Sequence, residues 1–198
     1  FDARGAQLVV LAAPPRPLFV PGDVIQNLGL GETFNRNDMS EAFSKYIRAL
    51  NDAGIVAPDL SELADSDVAS DFYFKRDTHW TPQGAALSAA QLSAAMEVAT
   101  VTDTLASIPV TGNYVEKGSL STVVEKACGT RPPAETVQAP VFAQQGTAAA
   151  LLSETNDGPR IALIGTSFSD RYQRDAYQVA DALAHALDGS IENHAMTG

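Results

Sequence analysis

Residues 160–169 read Arg160-Ile161-Ala162-Leu163-Ile164-Gly165-Thr166-Ser167-Phe168-Ser169. The first half is a short continuous apolar run, the pattern of a strand buried on both faces of a mostly parallel sheet. The second half is a turn of small residues, and helical periodicity begins near Asp170. A serine at a tight strand-to-helix turn is the setting of the nucleophile elbow, where the hydroxyl stands clear above the sheet edge. Ser169 occupies the place where the usual elbow has its last glycine. The turn by itself therefore also suits ordinary turn chemistry.

Downstream, Tyr177, Ala180, Leu183, Ala184 and Leu187 fall on one helical face that Gly189 closes, and Ser190 to Ala195 return as a last strand. Upstream, the turn Asn156-Asp157-Gly158-Pro159 leads into the serine strand, and Pro140-Val141-Phe142 offer a further strand. Near the start, Gln7 to Ala13 form a second continuous apolar run, followed by a loop with Pro14, Pro15, Pro17, Pro21 and Gly22 that has no regular structure. Ser40 reads as an N-cap, with Ala42, Phe43, Tyr46, Ile47 and Leu50 at helical spacing behind it and Gly54 as the stop. Ile55-Val56-Ala57 is a short strand, and the acidic stretch 60–70 is partly helical at best. Alternating apolar runs and amphipathic helices specify an α/β layer architecture. Residues 101–145, with short β-prone pieces broken by Gly and Pro, read as an irregular insertion holding a hairpin rather than as a separate domain.

A serine nucleophile needs a base beside it. Asp77-Thr78-His79-Trp80 supplies a carboxylate and an imidazole two residues apart. In an extended segment such residues point the same way, so Asp77 can orient His79. Thr81-Pro82 then starts an alanine-rich helix to about Val98, with Leu87, Ala90, Leu92 and Met96 on a packing face. That places His79 at a strand-to-helix edge, where α/β active-site loops gather. Ser167 as nucleophile, His79 as base and Asp77 as its orienting carboxylate make a triad in the chain order Asp, His, Ser. The Ser167 N–H and the helix start near Asp170 are candidate oxyanion donors, with Gly198 as a further one. Trp80 packs over the histidine or offers a face for a sugar ring. Lys75 and Arg76 read as solvated charges, and Arg171 and Tyr172 either face the site or cap the helix. His185 and His194 have structural settings, mid-helix and in the last strand.

At 198 residues and 45% hydrophobic, the chain suffices for one sizeable core in a single domain. With 13 basic and 24 acidic residues its formal charge is −11, which argues against nucleic acid and anionic lipid as partners. Three histidines and one cysteine without ligand spacing argue against a structural zinc site, and no cofactor is called for. The lone Cys128 has the character of a small buried or half-buried residue. No apolar run reaches the length of a membrane span. Phe1 and Gly198 both sit close to predicted strands, as ends cut from a longer chain do.

Two stretches, Phe72-Tyr73-Phe74-Lys75-Arg76-Asp77-Thr78-His79-Trp80-Thr81-Pro82-Gln83-Gly84-Ala85 and Arg160 to Ser169, resemble the SGNH-hydrolase-like domain of the alginate O-acetyltransferases of the AlgX/AlgJ family. The opening strand with its Ala-Pro-Pro loop and the Cys128-Gly129 region look closer to AlgX. The resemblance covers most of the chain. It implies a three-layer α/β/α domain over residues 1–198, with a mostly parallel sheet and a circularly permuted motif order, since ordinary members carry the Ser block first. It also implies periplasmic export and acetyl transfer to polysaccharide hydroxyls, with an acetyl donor supplied by a membrane acyltransferase partner. By the same resemblance Ser167 accepts the acyl group, and Cys128 is half of a disulfide whose other cysteine lies upstream of this chain. The negative charge sits awkwardly with a polyanionic acceptor such as alginate. Two further functions use or abandon the same residues: an acetylesterase, if water takes the acetyl group, and a non-catalytic polysaccharide-binding module of a secretion complex.

Overall fold

The computed structural model describes residues 5–29, 31, 33–108, 110–142, 160–169 and 179–196. The chain divides into two compact units, Phe1–Ser70 and Asp71–Gly198.

In the first unit a 3-10 turn, Arg16–Phe19, follows Pro15 and buries Leu18 and Phe19. The proline loop is thus more ordered than its composition suggests, because proline suits the first turn of a helix. Helix α1 is Gly22–Asn27 and helix α2 is Arg36–Asp52. The cap of α2 is Asn35, whose Oδ1 accepts from the N–H groups of Asn37 and Asp38 at 3.0 and 3.2 Å. Ser40 lies inside the helix instead, since Asn35 already caps the N–H groups that open it five residues earlier. Gly54 ends α2 with φ +79°, the left-handed geometry glycine adopts without cost. Residues 7–13 contribute a single parallel bridge, Val9 to Val56, with Val10 N–H donating to the Val56 carbonyl at 2.9 Å. Leu8 is 41% exposed, so this run is not buried on both faces. Residues Leu60–Asp65 form another 3-10 turn, capped by Asp59.

Helix α3 is Ala69–Phe72. The core of the second unit is helix α4, Pro82–Ala95, whose Ala85, Ala86, Leu87, Ala89, Ala90 and Leu92 are all buried. It is covered nearly all round, as an apolar helix without a polar face must be. Thr81 caps it, accepting from Gly84 N–H at 3.0 Å, with Pro82 in the first turn. It stops at Ala95, short of Val98, where Glu97 turns to φ +59°. Helix α5 (Val101–Ala106), strand β1 (Val110–Glu116), helix α6 (Ser119–Cys128) and strand β2 (Glu135–Val141) follow. β1 and β2 pair antiparallel from Val110↔Val141 to Glu116↔Glu135. The segment read as irregular is therefore a regular β–α–β excursion. Its ladder is formed by residues 19 to 31 positions apart, a pairing that local pattern does not reveal.

Strand β3 (Arg160–Leu163) runs parallel to β4 (Ser190–Asn193) in the register Arg160↔Ser190 to Leu163↔Asn193. Helix α7, Val179–Leu187, precedes β4 and packs on α4, where Ser93 Oγ donates to the Ala186 carbonyl at 2.8 Å. Ile164 is 82% exposed, so the serine strand ends at Leu163 and its burial alternates instead of continuing on both faces. The turn 156–159, the helix start at Asp170, Arg171, Tyr172, Tyr177 and Gly198 lie outside the described residues.

Candidate active site

The Asp-His motif sits in a pinched loop. Tyr73 and Trp80 form an antiparallel bridge at its neck, Phe74 N–H donates to the His79 carbonyl at 3.2 Å, and Thr81 N–H donates to that of Phe72 at 2.9 Å. Residues 75–79 are bends, not the extended segment expected from sequence. Asp77 and His79 meet through an Asx turn, in which an aspartate carboxylate binds the backbone two residues on. Asp77 Oδ1 accepts from His79 N–H at 3.0 Å and from His79 Nδ1–H at 2.7 Å. The other oxygen, Oδ2, accepts from the Ser119 N–H at the start of α6, at 2.7 Å.

Ser167 lies in the turn after β3, its Oγ 2.9 Å from His79 Nε2. With the Nδ1 proton given to Asp77, Nε2 holds the lone pair and the serine hydroxyl donates to it. Asp77, His79 and Ser167 thus stand in one hydrogen-bonded line. The turn is braced from β4 and the residues after it: Asn193 Nδ2 donates to the Ser169 carbonyl at 3.1 Å and Met196 N–H to the Gly165 carbonyl at 3.1 Å. Phe168 lays its ring 4.8 Å from the His79 ring and 5.2 Å from that of Trp80. Trp80 is 3% exposed and also meets Phe72 edge-on, so it packs beneath the histidine and presents no face to a sugar.

Asp77 is fully buried. Burial alone would push its carboxyl up, but the bonds from His79 Nδ1, the Ser119 and His79 N–H groups and the Ser119 hydroxyl outweigh that and hold it well below the usual carboxylate range. The site therefore keeps a fixed negative charge behind the imidazole, while the His79 side chain retains 12% exposure. That arrangement can accept a proton from Ser167 and hold it as an imidazolium.

The remaining candidates stand apart. His185 Nε2 lies 2.9 Å from Ser107 Oγ and its ring 5.3 Å from Phe142, a packing role. His194 is exposed and 3.6 Å from Glu192. The Arg76 guanidinium is tethered at the surface, its Nη1 donating to the Pro133 carbonyl at 2.6 Å. Cys128 is an exposed free thiol at the end of α6, not buried, on a helix that buries only Ser121. Among the described residues no group of three His, Cys, Asp or Glu is placed to hold a metal ion, and no helix is long and apolar enough to cross a membrane. The sequence reading missed Ser119 and Asn193. Asn193 had a signal, a polar amide ending a strand beside the serine strand. The Ser119 donor is a backbone N–H and has none.

A family profile described as the SGNH hydrolase-like domain of the acetyltransferase AlgX matches residues 1–198. The chain belongs to the AlgX SGNH hydrolase-like domain family. Within and near this family, the alginate biosynthesis protein AlgX of Pseudomonas fluorescens is 30% identical over the whole chain, which covers 42% of that protein. The probable alginate O-acetylase AlgJ of Azotobacter vinelandii is 28% identical over 98% of the chain, covering 50% of its own length. The chain therefore spans about half the length, or less, of these curated relatives. The solved structure of Pseudomonas aeruginosa AlgX superposes with a TM-score of 0.70 at 26% identity, over 100% of this chain and 46% of that one. The O-acetyltransferase domain of Pseudomonas putida AlgJ gives 0.58 at 21% identity, over 100% of this chain and 66% of that one, a likeness of fold alone. The fold is thus SGNH hydrolase-like, of mixed α/β class.

Proposed function

We propose that this AlgX-family chain is an O-acetyltransferase acting on hydroxyls of an alginate-like exopolysaccharide through an acetyl-Ser167 intermediate. The observation that carries the reading is the line from Asp77 through His79 to Ser167 Oγ, 2.7 and 2.9 Å per step. Ser167 Oγ attacks the donor's acetyl carbonyl as His79 Nε2 takes its proton. The tetrahedral adduct collapses, the donor's oxygen leaves with the proton from the imidazolium, and acetyl-Ser167 remains. A sugar hydroxyl then gives its proton to His79 and attacks the ester, so the acetyl group passes to the sugar and Ser167 regains its hydrogen. Developing negative charge would be met by the Ser167 N–H and the helix start expected near Asp170, with Gly198 the further donor.

The same reading includes a periplasmic location, a polysaccharide acceptor and a membrane acyltransferase partner supplying acetyl groups, with no nucleic-acid partner. It also includes a three-layer α/β/α arrangement with a mostly parallel sheet and permuted motif order, which the parallel β3–β4 pairing and the likeness to AlgX support. The test is intact-protein mass spectrometry after incubation with p-nitrophenyl acetate. One acetyl group mapping to Ser167, absent from Ser167→Ala and His79→Ala, is expected. Transfer of that acetyl to an oligosaccharide in excess of free acetate marks a transferase, and acetate alone an esterase. Equal slow release from all three proteins without an adduct would sink the catalytic reading and leave a binding module.

A further inference from the structure

The excursion β1–α6–β2 does more than decorate the fold. The loop carrying Asp77 and His79 is gripped by it on several atoms at once. Glu135, the first residue of β2, accepts from Lys75 N–H at 3.2 and 3.0 Å through its two oxygens and from Arg76 N–H at 3.3 Å. The Arg76 carbonyl accepts from Leu120 N–H at 3.1 Å. One residue on, Ser119 N–H holds Asp77 Oδ2. The corner that aims Ser119 is Gly118, at φ +77° with its N–H on Glu116 Oε1 at 2.8 Å. A Cβ on Gly118 would stand 2.1 Å from the Arg76 carbonyl oxygen, so the approach demands glycine on steric as well as torsional grounds.

We propose that the 110–141 excursion is the clamp that sets the Asp77–His79 arm, with the Ser119 N–H and the Glu135 carboxylate as its positioning groups. The inference rests on the reading of Ser167, His79 and Asp77 as the reacting triad. One carboxylate oxygen of Asp77 serves the imidazole and the other is tied to α6, so rotation of the carboxylate is blocked. Glu135 fixes the two peptide groups just before it. Neither group touches a reacting atom, and both act by keeping Nε2 within reach of Ser167.

The sharpest variant is Ser119→Pro. Residue 119 is the first of α6, where proline is well tolerated because its missing N–H is not used within the helix. Ser119→Ala keeps the N–H and removes only the hydroxyl that Asp77 also meets, so the loss in Ser119→Pro beyond that in Ser119→Ala reads the N–H. Glu135→Ala removes the second hold from a half-exposed position and keeps the test alive should Ser119→Pro fail to fold. Acetylation of Ser167 by p-nitrophenyl acetate should slow about 10²-fold in Ser119→Pro, the penalty of a misplacement near 1 Å. Glu135→Ala, which loosens the loop without freeing the Asp77 carboxylate, should lose about 10-fold, part of the same misplacement penalty, and Glu135→Gln, which keeps an acceptor oxygen, should recover most of it. Both losses should fall on kcat with KM unchanged, and the downfield proton resonance of the His79 Nδ1–H should shift or broaden with them. Wild-type rates and an unmoved resonance in both Ser119→Pro and Glu135→Ala would overturn the proposal. Lost rate with an unmoved resonance would overturn it too, pointing to general damage. If wild-type protein forms no acetyl-Ser167 while the resonance still answers to Ser119, the triad reading has failed and the clamp is merely structural.

Discussion

At Asp77 a single carboxylate is asked to do two things, and replacing it should separate them. In Asp77→Asn the amide can present an N–H to the ring, which favours the tautomer with Nε2 protonated and unable to accept from Ser167. Acetylation of Ser167 should fall about 10⁴-fold, measured as burst rate with p-nitrophenyl acetate. The second consequence is in stability. The folded carboxyl titrates below its ordinary value, so the unfolded chain binds the proton more readily. Asp77 therefore stabilises the fold fully above the unfolded pKa of about 4, and that contribution drains away as pH falls below it. Urea unfolding at a series of pH values should show a wild-type loss on acidification from pH 5 towards pH 2 that is shallower in Asp77→Asn. At this scale the three residues that the structure brings into one hydrogen-bonded line could be picked out in the sequence, because Asp77, His79 and Ser167 are chemically distinctive types at the edges of predicted elements. Their geometry could not, because an Asx turn and an extended pair share the same Asp-x-His spelling.

Helix α4 shows how an element can reverse an intrinsic preference. Gly84 lies in its first turn, and Gly→Ala in a helix ordinarily gains about 1 kcal/mol. Here an added Cβ would sit 2.2 Å from the Phe72 carbonyl oxygen and 3.0 Å from Trp80 Cβ. Gly84→Ala should therefore lower the Tm instead of raising it, and slow acetylation as well, since Trp80 adjoins His79. Thr81→Ala removes the cap on Gly84 N–H and a hydroxyl that also donates to the Asp71 carbonyl. It should cost about 1–2 kcal/mol in denaturant unfolding, with Thr81→Ser restoring most of the loss. The start of this helix was readable because Thr-Pro states both cap and first position. The start of α2 was misplaced because Ser40 and Asn35 are both good caps and only tertiary structure chooses between them. The β1–β2 ladder was missed for a related reason: its residues pair across an intervening helix, and short runs broken by Gly and Pro carry no trace of a partner.

For the molecule as a whole, the surplus of 24 acidic over 13 basic residues makes a prediction about acceptors. A polyuronate approaching this chain meets net repulsion, which salt screens. Transfer to a uronate oligosaccharide should speed up between low and physiological ionic strength, while acetylation by neutral p-nitrophenyl acetate stays flat. Equal salt responses would mean that the acceptor path avoids the chain's net field. The α/β class was legible at this scale from alternating apolar runs and helical faces. The division into two compact units was not, because composition changes little across residue 70.

The hydrogen bond between His79 and Ser167 joins residues 88 positions apart. Contacts of such long sequence separation carry the largest loop-closure cost and form late, after local helices and hairpins. During refolding, then, far-ultraviolet signal should return before the capacity to take up an acetyl group. Newly made chains would pass through a stage in which the serine is present, the helices are formed, and the protein is still chemically silent.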